Sequence, residues 1–165
     1  MKLVFLDFDG VINCDDTQDK IMIARYGGMF TGFDDEKIML IDELVRQTGA
    51  KVVISSTWRF SMSLHDLERI FKKRGYTHGR FYGETPKSYT EIGLGFPPMR
   101  DDRGGEIQAY LDQMPTLDRA SLKFVVIDDL VTKFLKLGLQ VLTDDRVGMT
   151  EENLQQAIDV LNKDD

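Results

Sequence analysis

Two aspartates, Asp7 and Asp9, lie one residue apart at the end of an apolar run and are followed directly by Gly10. The run, Leu-Val-Phe-Leu at positions 3–6, is typical of a strand that is buried on both faces of a parallel sheet. In an open α/β sheet the ligand crevice lies outside the carboxyl ends of the strands, so both carboxylates are expected to face it. Two carboxylates in a crevice favour the binding of a hard cation.

A calcium loop and a plain turn are the alternatives for this motif. In a calcium loop, Asp7, Asp9 and Gly10 would hold the third, fifth and sixth positions. The first position would then be the apolar Phe5, and the last would be Asp16 in place of a bidentate glutamate, which excludes this loop. Asp and Gly are also ordinary turn residues, so the motif alone does not decide between a turn and a site.

Two later apolar segments also end in polar side chains. One is residues 51–54, which lead into three hydroxyl residues at 55–57. The other is residues 122–127, which lead into the adjacent acids Asp128 and Asp129. Because the carboxyl ends of parallel strands lie at one edge of a sheet, acids, hydroxyls and further acids are expected to meet there. The three segments together favour a functional site over a turn.

The order of these motifs resembles that of the haloacid dehalogenase-like (HAD) superfamily of phosphotransferases: Asp-x-Asp, then Ser or Thr, then Lys or Arg, then paired acids. The resemblance covers essentially the whole chain, and within the superfamily the chain looks most like the HAD domain of Swiss Army Knife RNA-repair proteins. Four segments carry this closer likeness: Ser-Ser-Thr-Trp-Arg at 55–59, Arg-Gly-Gly-Glu-Ile-Gln-Ala-Tyr-Leu at 103–111, Val-Ile-Asp-Asp at 126–129 and Gly-Met-Thr at 148–150.

The resemblance implies a magnesium-dependent phosphomonoesterase. Asp7 would be the nucleophile that forms an aspartyl-phosphate. Asp9 would be the general acid that protonates the leaving oxygen and afterwards activates water. Magnesium prefers oxygen ligands and is usually held by one or two carboxylates with substrate oxygens and water. The implied metal-binding residues are Asp7, Asp9, Asp128 and Asp129.

The hydroxyl and the cation that would bind the phosphoryl group each have rival candidates. Ser56 is preferred because it begins the turn after the strand, and Ser55 is the alternative, although both could merely cap the following helix. Arg103, before the helix that starts with Gly-Gly-Glu, is the preferred cation, with Lys87 and Arg100 as rivals. An arginine offers phosphate oxygens a rigid fork and could also hold the nucleophile, whereas HAD enzymes often use lysine here.

Two further polar groups have mainly structural interpretations. Trp58 is expected to pack beneath the turn and Arg59 to form a structural ion pair; alternatively, the indole stacks on a base and Arg59 holds a second phosphate. The cations at 69 and 72–74 are expected to form a solvated helix end rather than a phosphate-binding surface.

Composition and charge restrict the classes of function. The chain of 165 residues suits one domain, residues 1–165, and its formal net charge of −7 argues against extended nucleic-acid binding.

No apolar run approaches the roughly 18 residues that span a bilayer. Because the motif strand begins at residue 2, we expect no signal peptide ahead of it. Cys14 is the only cysteine, so no internal disulfide can form. We expect a cytoplasmic protein with no membrane partner.

Apolar periodicity predicts how these motifs are positioned. Helices are expected at 34–48, 63–74, 105–114 and 130–137 and from Thr150 onward, with short strands at 80–82 and 139–142. The alternation predicts an α/β fold with a doubly wound parallel sheet, the Rossmann-like core of HAD proteins, and a small cap or none. The segments 13–33 and 87–103 are expected to be loops that cover the site.

The expected substrate is a small phosphorylated molecule or a nucleic-acid end. Two other functions are consistent with the same residues. One is a binding module that keeps the fold without turnover, and the other is transfer of the phosphoryl group to an acceptor other than water. The sequence leaves the oligomeric state open.

Overall fold

A computed structural model of the chain describes residues 1–14, 32–86, 103–116, 119, 121–132 and 139–163. The strands are β1 (Lys2–Leu6), β2 (Lys51–Ile54), β3 (Phe81–Glu84), β4 (Lys123–Asp128) and β5 (Gln140–Leu142). The α-helices are α1 (Asp35–Thr48), α2 (Leu64–Lys73), α3 (Arg103–Asp112) and α4 (Glu151–Asn162), and a short 3-10 helix spans Thr57–Phe60.

The five strands form one sheet in the order β3-β2-β1-β4-β5, and every neighbouring pair is parallel. Leu6 at the end of β1 pairs with Ile54 of β2 and with Ile127 of β4. The predicted α/β fold with a parallel sheet is confirmed. The register brings the residues that follow these three strand positions to one edge of the sheet, because the strands run in the same direction.

Helices cover both faces of the sheet. On one face, Val4 and Leu6 of β1 pack with the apolar sides of α1, α2 and α4. On the other face, Leu3 and Phe5 pack with Ile107 of α3. Side chains therefore alternate between two separate cores, as expected of a strand that is buried on both sides.

Capping residues explain where several helices begin and end. Asp34 accepts a hydrogen bond from the backbone N–H of Glu36 at the start of α1, and Gly49 ends that helix with a φ of 66°. Thr150 caps α4 in a reciprocal capping box with Asn153.

The predicted boundaries differ from the structure mainly at α3. This helix begins at Arg103, two residues before the predicted start, because the low helix propensity of Gly104 and Gly105 matters less than the burial of Ile107 and Leu111. The loops predicted at 13–33 and 87–103 lie largely outside the described residues, as does most of the helix predicted at 130–137. Within the described part of the chain, no helix has the length and apolar character needed to cross a membrane.

Candidate active site

Asp7 lies directly after the central strand β1 and is 4% exposed. Its backbone N–H donates to the carbonyl of Ile127 at 3.0 Å, which continues the ladder with β4. One carboxylate oxygen, Oδ1, accepts a hydrogen bond from the backbone N–H of Phe8 at 2.8 Å. The other oxygen, Oδ2, lies 2.8 Å from Nη1 of Arg103. These contacts hold the carboxylate in one orientation at the edge of the sheet.

Asp128 occupies the equivalent position at the end of β4. Its Oδ2 accepts from Nη1 of Arg103 at 2.6 Å, and its Oδ1 accepts from the backbone N–H of Leu130 at 3.0 Å. Burial raises the pKa of Asp128 to about 7, and the nearby negative charge of Asp7 acts in the same direction, against the lowering effect of Arg103. Close packing of two carboxylates makes this edge a place where a cation is favoured.

Arg103 bridges the two carboxylates from the first turn of α3. Its side chain is 10% exposed. Burial alone would lower the pKa of Arg103, but the charges of Asp7 and Asp128 outweigh it and raise the pKa above its ordinary value. The structure therefore places the preferred cation of the sequence motif beside the expected nucleophile. Its rivals Lys87 and Arg100 lie outside the described residues.

The alternation of side chains explains why α3 meets these groups. Phe5 and Val126 pack in the core under α3, and Asp7 and Asp128 follow them by two residues, so both carboxylates lie on the α3 side of the sheet. Ser55 follows Val53 of the same core by two residues and is expected on that side as well.

Gly10 allows the loop after β1 to approach the loop after β4. Its φ is +74°, and a Cβ at this position would lie 2.5 Å from Cβ and Cγ of Asp129. Its carbonyl accepts a hydrogen bond from Oγ1 of Thr143 at 2.7 Å. The glycine in the motif is thus required both by the left-handed backbone and by the second acid of the pair.

Three of the predicted metal-binding residues converge. Asp7, Asp128 and Asp129 each offer a carboxylate oxygen, and these oxygens lie within 4.8 Å of one another. The set fits Mg²⁺, which is bound by a few carboxylates together with oxygens from substrate and water. Asp9 does not belong to this cluster.

Asp9 is held apart from the cluster by two neutral donors. Its Oδ1 accepts from Nδ2 of Asn13 at 3.1 Å and from Nε1 of Trp58 at 3.0 Å. The sequence offered no signal for Asn13 beyond its position in a turn after the motif. Trp58 was expected to pack beneath the turn; it does pack against Phe33, with ring centroids 4.9 Å apart, and it also contacts the expected general acid.

The two candidate hydroxyls are both fully buried and have different partners. Oγ of Ser56 caps the short 3-10 helix and accepts from the backbone N–H of Trp58 at 3.4 Å. Oγ of Ser55 has no hydrogen-bond partner among the described residues, and the backbone N–H of Ser55 donates to the carbonyl of Leu6, next to Asp7. The structure thus brings both serines to the edge of the sheet where the carboxylates lie.

Arg59 has the structural role that was expected. Its guanidinium forms an ion pair with Glu106 of α3 and donates to the carbonyls of Ser55, Ser56 and Thr85. The arginine is therefore committed to holding the turn after β2. Glu106 was not identified from the sequence, although it lies one helical turn after Arg103.

Searches of curated proteins and of solved structures returned no significant match. A family model matches residues 3–154, a range that includes the whole sheet except Lys2 of β1 and extends into the first turn of α4. That model describes the HAD domain in Swiss Army Knife RNA repair proteins. The match agrees with the motif order, the parallel sheet and the acidic cluster at its edge, and the chain belongs to this family.

Proposed function

We propose that the chain is a magnesium-dependent phosphomonoesterase that acts through an aspartyl-phosphate on the terminal phosphates of nucleotides or RNA. The observation that carries this proposal is the position of Asp7. It is a nearly buried carboxylate at the end of the central strand, held by Arg103 and close to Asp128 and Asp129. Such a carboxylate can act as a nucleophile because its orientation is fixed before the substrate arrives.

Asp7, Asp128 and Asp129 are the residues that would hold Mg²⁺. When bound, the ion would neutralise negative charge on the transferring phosphoryl group. Arg103 already neutralises two of these carboxylates and would offer the remaining N–H groups of its guanidinium to phosphate oxygens. A hydroxyl from Ser55 or Ser56 would donate to another phosphate oxygen.

The first chemical step joins Asp7 to phosphorus. A carboxylate oxygen of Asp7 attacks the phosphorus atom, and the bond from phosphorus to the ester oxygen breaks with its electron pair on that oxygen. Asp9 gives its proton to the leaving oxygen. The bonds from Trp58 and Asn13 both end on Oδ1 of Asp9, so Oδ2 is the oxygen that can carry the proton.

The second step reverses the proton transfer. Asp9, now a carboxylate, takes a proton from water as the water oxygen attacks phosphorus. The bond from phosphorus to Asp7 breaks, inorganic phosphate leaves, and both aspartates return to their initial states. Asp9 thus serves first as the acid and then as the base. This role requires a carboxylate that lies beside the leaving oxygen and does not bind the metal.

The family description supports nucleotide or RNA ends as the substrate class. The net charge of −7 argues against a long polynucleotide, because extended binding requires many cations to neutralise phosphates. Both observations agree if the protein binds a terminal phosphate and few neighbouring nucleotides.

The test is a screen of phosphate esters with and without Mg²⁺. Mononucleotides, short RNA and DNA with 5′ or 3′ phosphates, sugar phosphates and phosphopeptides are compared by kcat/KM. Phosphate release should require Mg²⁺ and fall by at least about a thousandfold in Asp7→Asn. Asp159→Asn, which removes an exposed acid on α4, is the control and should retain activity.

Three results would contradict the proposal in different ways. Phosphate release in excess chelator would show that the reaction does not require Mg²⁺. Mg²⁺ binding without release from any ester would indicate a binding module. Transfer of labelled phosphate to an added alcohol in preference to water would indicate a phosphotransferase.

A further inference from the structure

A cavity of about 450 Å³ lies beside Trp58, whose indole donates a hydrogen bond to Asp9. Its volume falls within the range of about 300–1,000 Å³ found for small-molecule sites. We call it the Trp58 cavity. The lining residues that bear on its function are Phe33, Trp58, Met62, Arg69, Ile70 and Lys73.

Trp58 lies between the cavity and Asp9 of the proposed catalytic site. The indole Nε1 donates to Asp9 at 3.0 Å, while the same ring forms part of the cavity wall. One indole therefore separates the expected general acid from the cavity. Met62 and Ile70 add apolar surface beside the ring, and an aromatic wall with apolar neighbours suits the flat face of a nucleobase.

The rim of the cavity carries positive charge although the whole chain is acidic. Three cations, Arg69, Lys73 and Arg74, line it against one carboxylate, Asp66. Arg74 is engaged by the carbonyl of Phe33. Arg69 makes one exposed contact of 3.2 Å with Asp66, and Lys73 has no ion-pair partner among the described residues.

We propose that the Trp58 cavity binds the nucleoside adjacent to the scissile phosphate. The base lies against Trp58, and the second phosphate of that nucleotide lies on Lys73 and Arg69. The location of the scissile phosphate at Asp7 rests on the proposed function. The smallest ligand with all three features is a nucleoside 3′,5′-bisphosphate, which has one base between two phosphates.

The pairing of the other cations limits how much of a polynucleotide this surface can bind. Arg74 also pairs with Asp35, and Lys72 pairs with Glu68. Of the four cations at 69 and 72–74, only Lys73 is without an ion pair among the described residues. The cavity accommodates one nucleotide, and affinity should gain little from chain length beyond it.

Trp58 is the only tryptophan in the chain, so its fluorescence reports occupancy of the cavity directly. We would titrate Asp7→Asn protein with adenosine 3′,5′-bisphosphate, adenosine 5′-monophosphate, ribose 5-phosphate and inorganic phosphate. The bisphosphate should give a saturable change in fluorescence with the lowest Kd. Ribose 5-phosphate and inorganic phosphate should leave the emission almost unchanged, because they have no base to contact the indole.

Lys73→Gln and Lys72→Gln form a matched pair of variants. Lys73→Gln should raise the Kd for the bisphosphate at least about tenfold, since it removes a charge-assisted contact, and should affect the monophosphate less. Lys72→Gln removes a neighbouring cation of α2 that does not line the cavity, and its Kd should stay within about twofold of the parent value. Equal Kd values for the two variants would overturn the proposal, as would equal fluorescence changes with and without a base.

These measurements separate the cavity from the catalytic proposal because binding is observed without turnover. The bisphosphate could bind in a manner that depends on Lys73 while the unaltered protein releases no phosphate in Mg²⁺. This result would support the proposed nucleoside site and contradict the proposed phosphatase activity. Efficient hydrolysis of all esters without any fluorescence change would support the phosphatase and contradict the cavity.

Discussion

Arg59 and Glu106 form an ion pair between the turn after β2 and the first turn of α3, and their side chains are only 1% and 5% exposed. Glu106 lies one helical turn after Arg103. Arg103 in turn contacts both Asp7 and Asp128. The pair fixes α3 against the end of β2 and so holds the guanidinium of Arg103 beside the carboxylates. Arg59 and Glu106 are therefore positioning residues.

Glu106→Leu should strongly destabilise the protein, because the guanidinium of Arg59 would remain buried without its counter-charge. Loss of one partner from a buried pair typically costs about 3–5 kcal/mol in the free energy of unfolding. Unfolding in urea measures the change. Glu43→Gln, which removes the partner of Arg46 on the exposed side of α1, is the control and should change stability little. A small change for both variants would show that Arg59 does not depend on Glu106.

The strand-end acids could be predicted from the sequence, whereas their supporting contacts could not. Asp7 and Asp128 follow apolar runs that are typical of buried strands, and parallel strands bring their carboxyl ends together. Arg59 and Glu106 lie 47 residues apart. The apolar periodicity around Arg59 and Glu106 does not predict that the two side chains form a pair. A contact between distant polar side chains depends on register and helix placement, which apolar patterning does not specify.

The same limit applies to Asp9 and its donors. The sequence identified Asp9 as the acid of the motif, but its bond from Trp58 joins residues 49 positions apart. The start of α3 was also misplaced, because two glycines weaken the local helix signal while tertiary packing decides. Local propensity and apolar periodicity thus predict the sheet and its acids, and side-chain contacts across elements need the structure.

Asp128 should make the stability of the metal-free protein depend on pH. Its pKa is raised by burial from the ordinary value of 3.8 to about 7, so between these values the folded state keeps a proton that the unfolded state has released. Because the folded state binds more protons in that window, this group lowers stability as pH rises through it. Above pH 7 the loss is complete.

Comparison with Asp128→Asn isolates this effect. In chelator, the free energy of unfolding of Asp128→Asn minus that of the unaltered protein should increase from about pH 5 to about pH 8, because the variant has no proton to lose. Asp159→Asn controls for the loss of a negative charge. A constant difference across this range would contradict the assignment. Mg²⁺ should reduce the difference, since it stabilises the deprotonated carboxylates of the unaltered protein.

Gly10→Ala should impair metal binding as well as stability. Its backbone has φ +74°, and the added Cβ would lie 2.5 Å from the side chain of Asp129, so the second acid must move. Gly49→Ala is the matched control, because its φ is +66° and nothing lies within 4 Å of the added Cβ. Both variants should lose about 1–3 kcal/mol from backbone strain. Only Gly10→Ala should weaken Mg²⁺ binding, as measured by calorimetry, and equal Mg²⁺ affinity in the two variants would show that Asp129 is not a ligand.

The choice between Ser55 and Ser56 can be decided by comparing activity with stability. Ser55→Ala removes a buried hydroxyl that has no partner among the described residues, so unfolding should be nearly unchanged, while kcat should fall at least about tenfold if the hydroxyl donates to the phosphoryl group. Ser56→Ala removes the cap of the 3-10 helix and should lower the free energy of unfolding by about 1 kcal/mol.

Ser56→Ala should then have a smaller effect on kcat than Ser55→Ala, because the hydroxyl of Ser56 serves the 3-10 helix as its cap. The reverse order, with full activity in Ser55→Ala and a large loss in Ser56→Ala, would assign the phosphate contact to Ser56. In that case Ser56 would donate its O–H to a phosphate oxygen while its Oγ still accepts the N–H of Trp58, since a hydroxyl can donate one hydrogen bond and accept others at the same time.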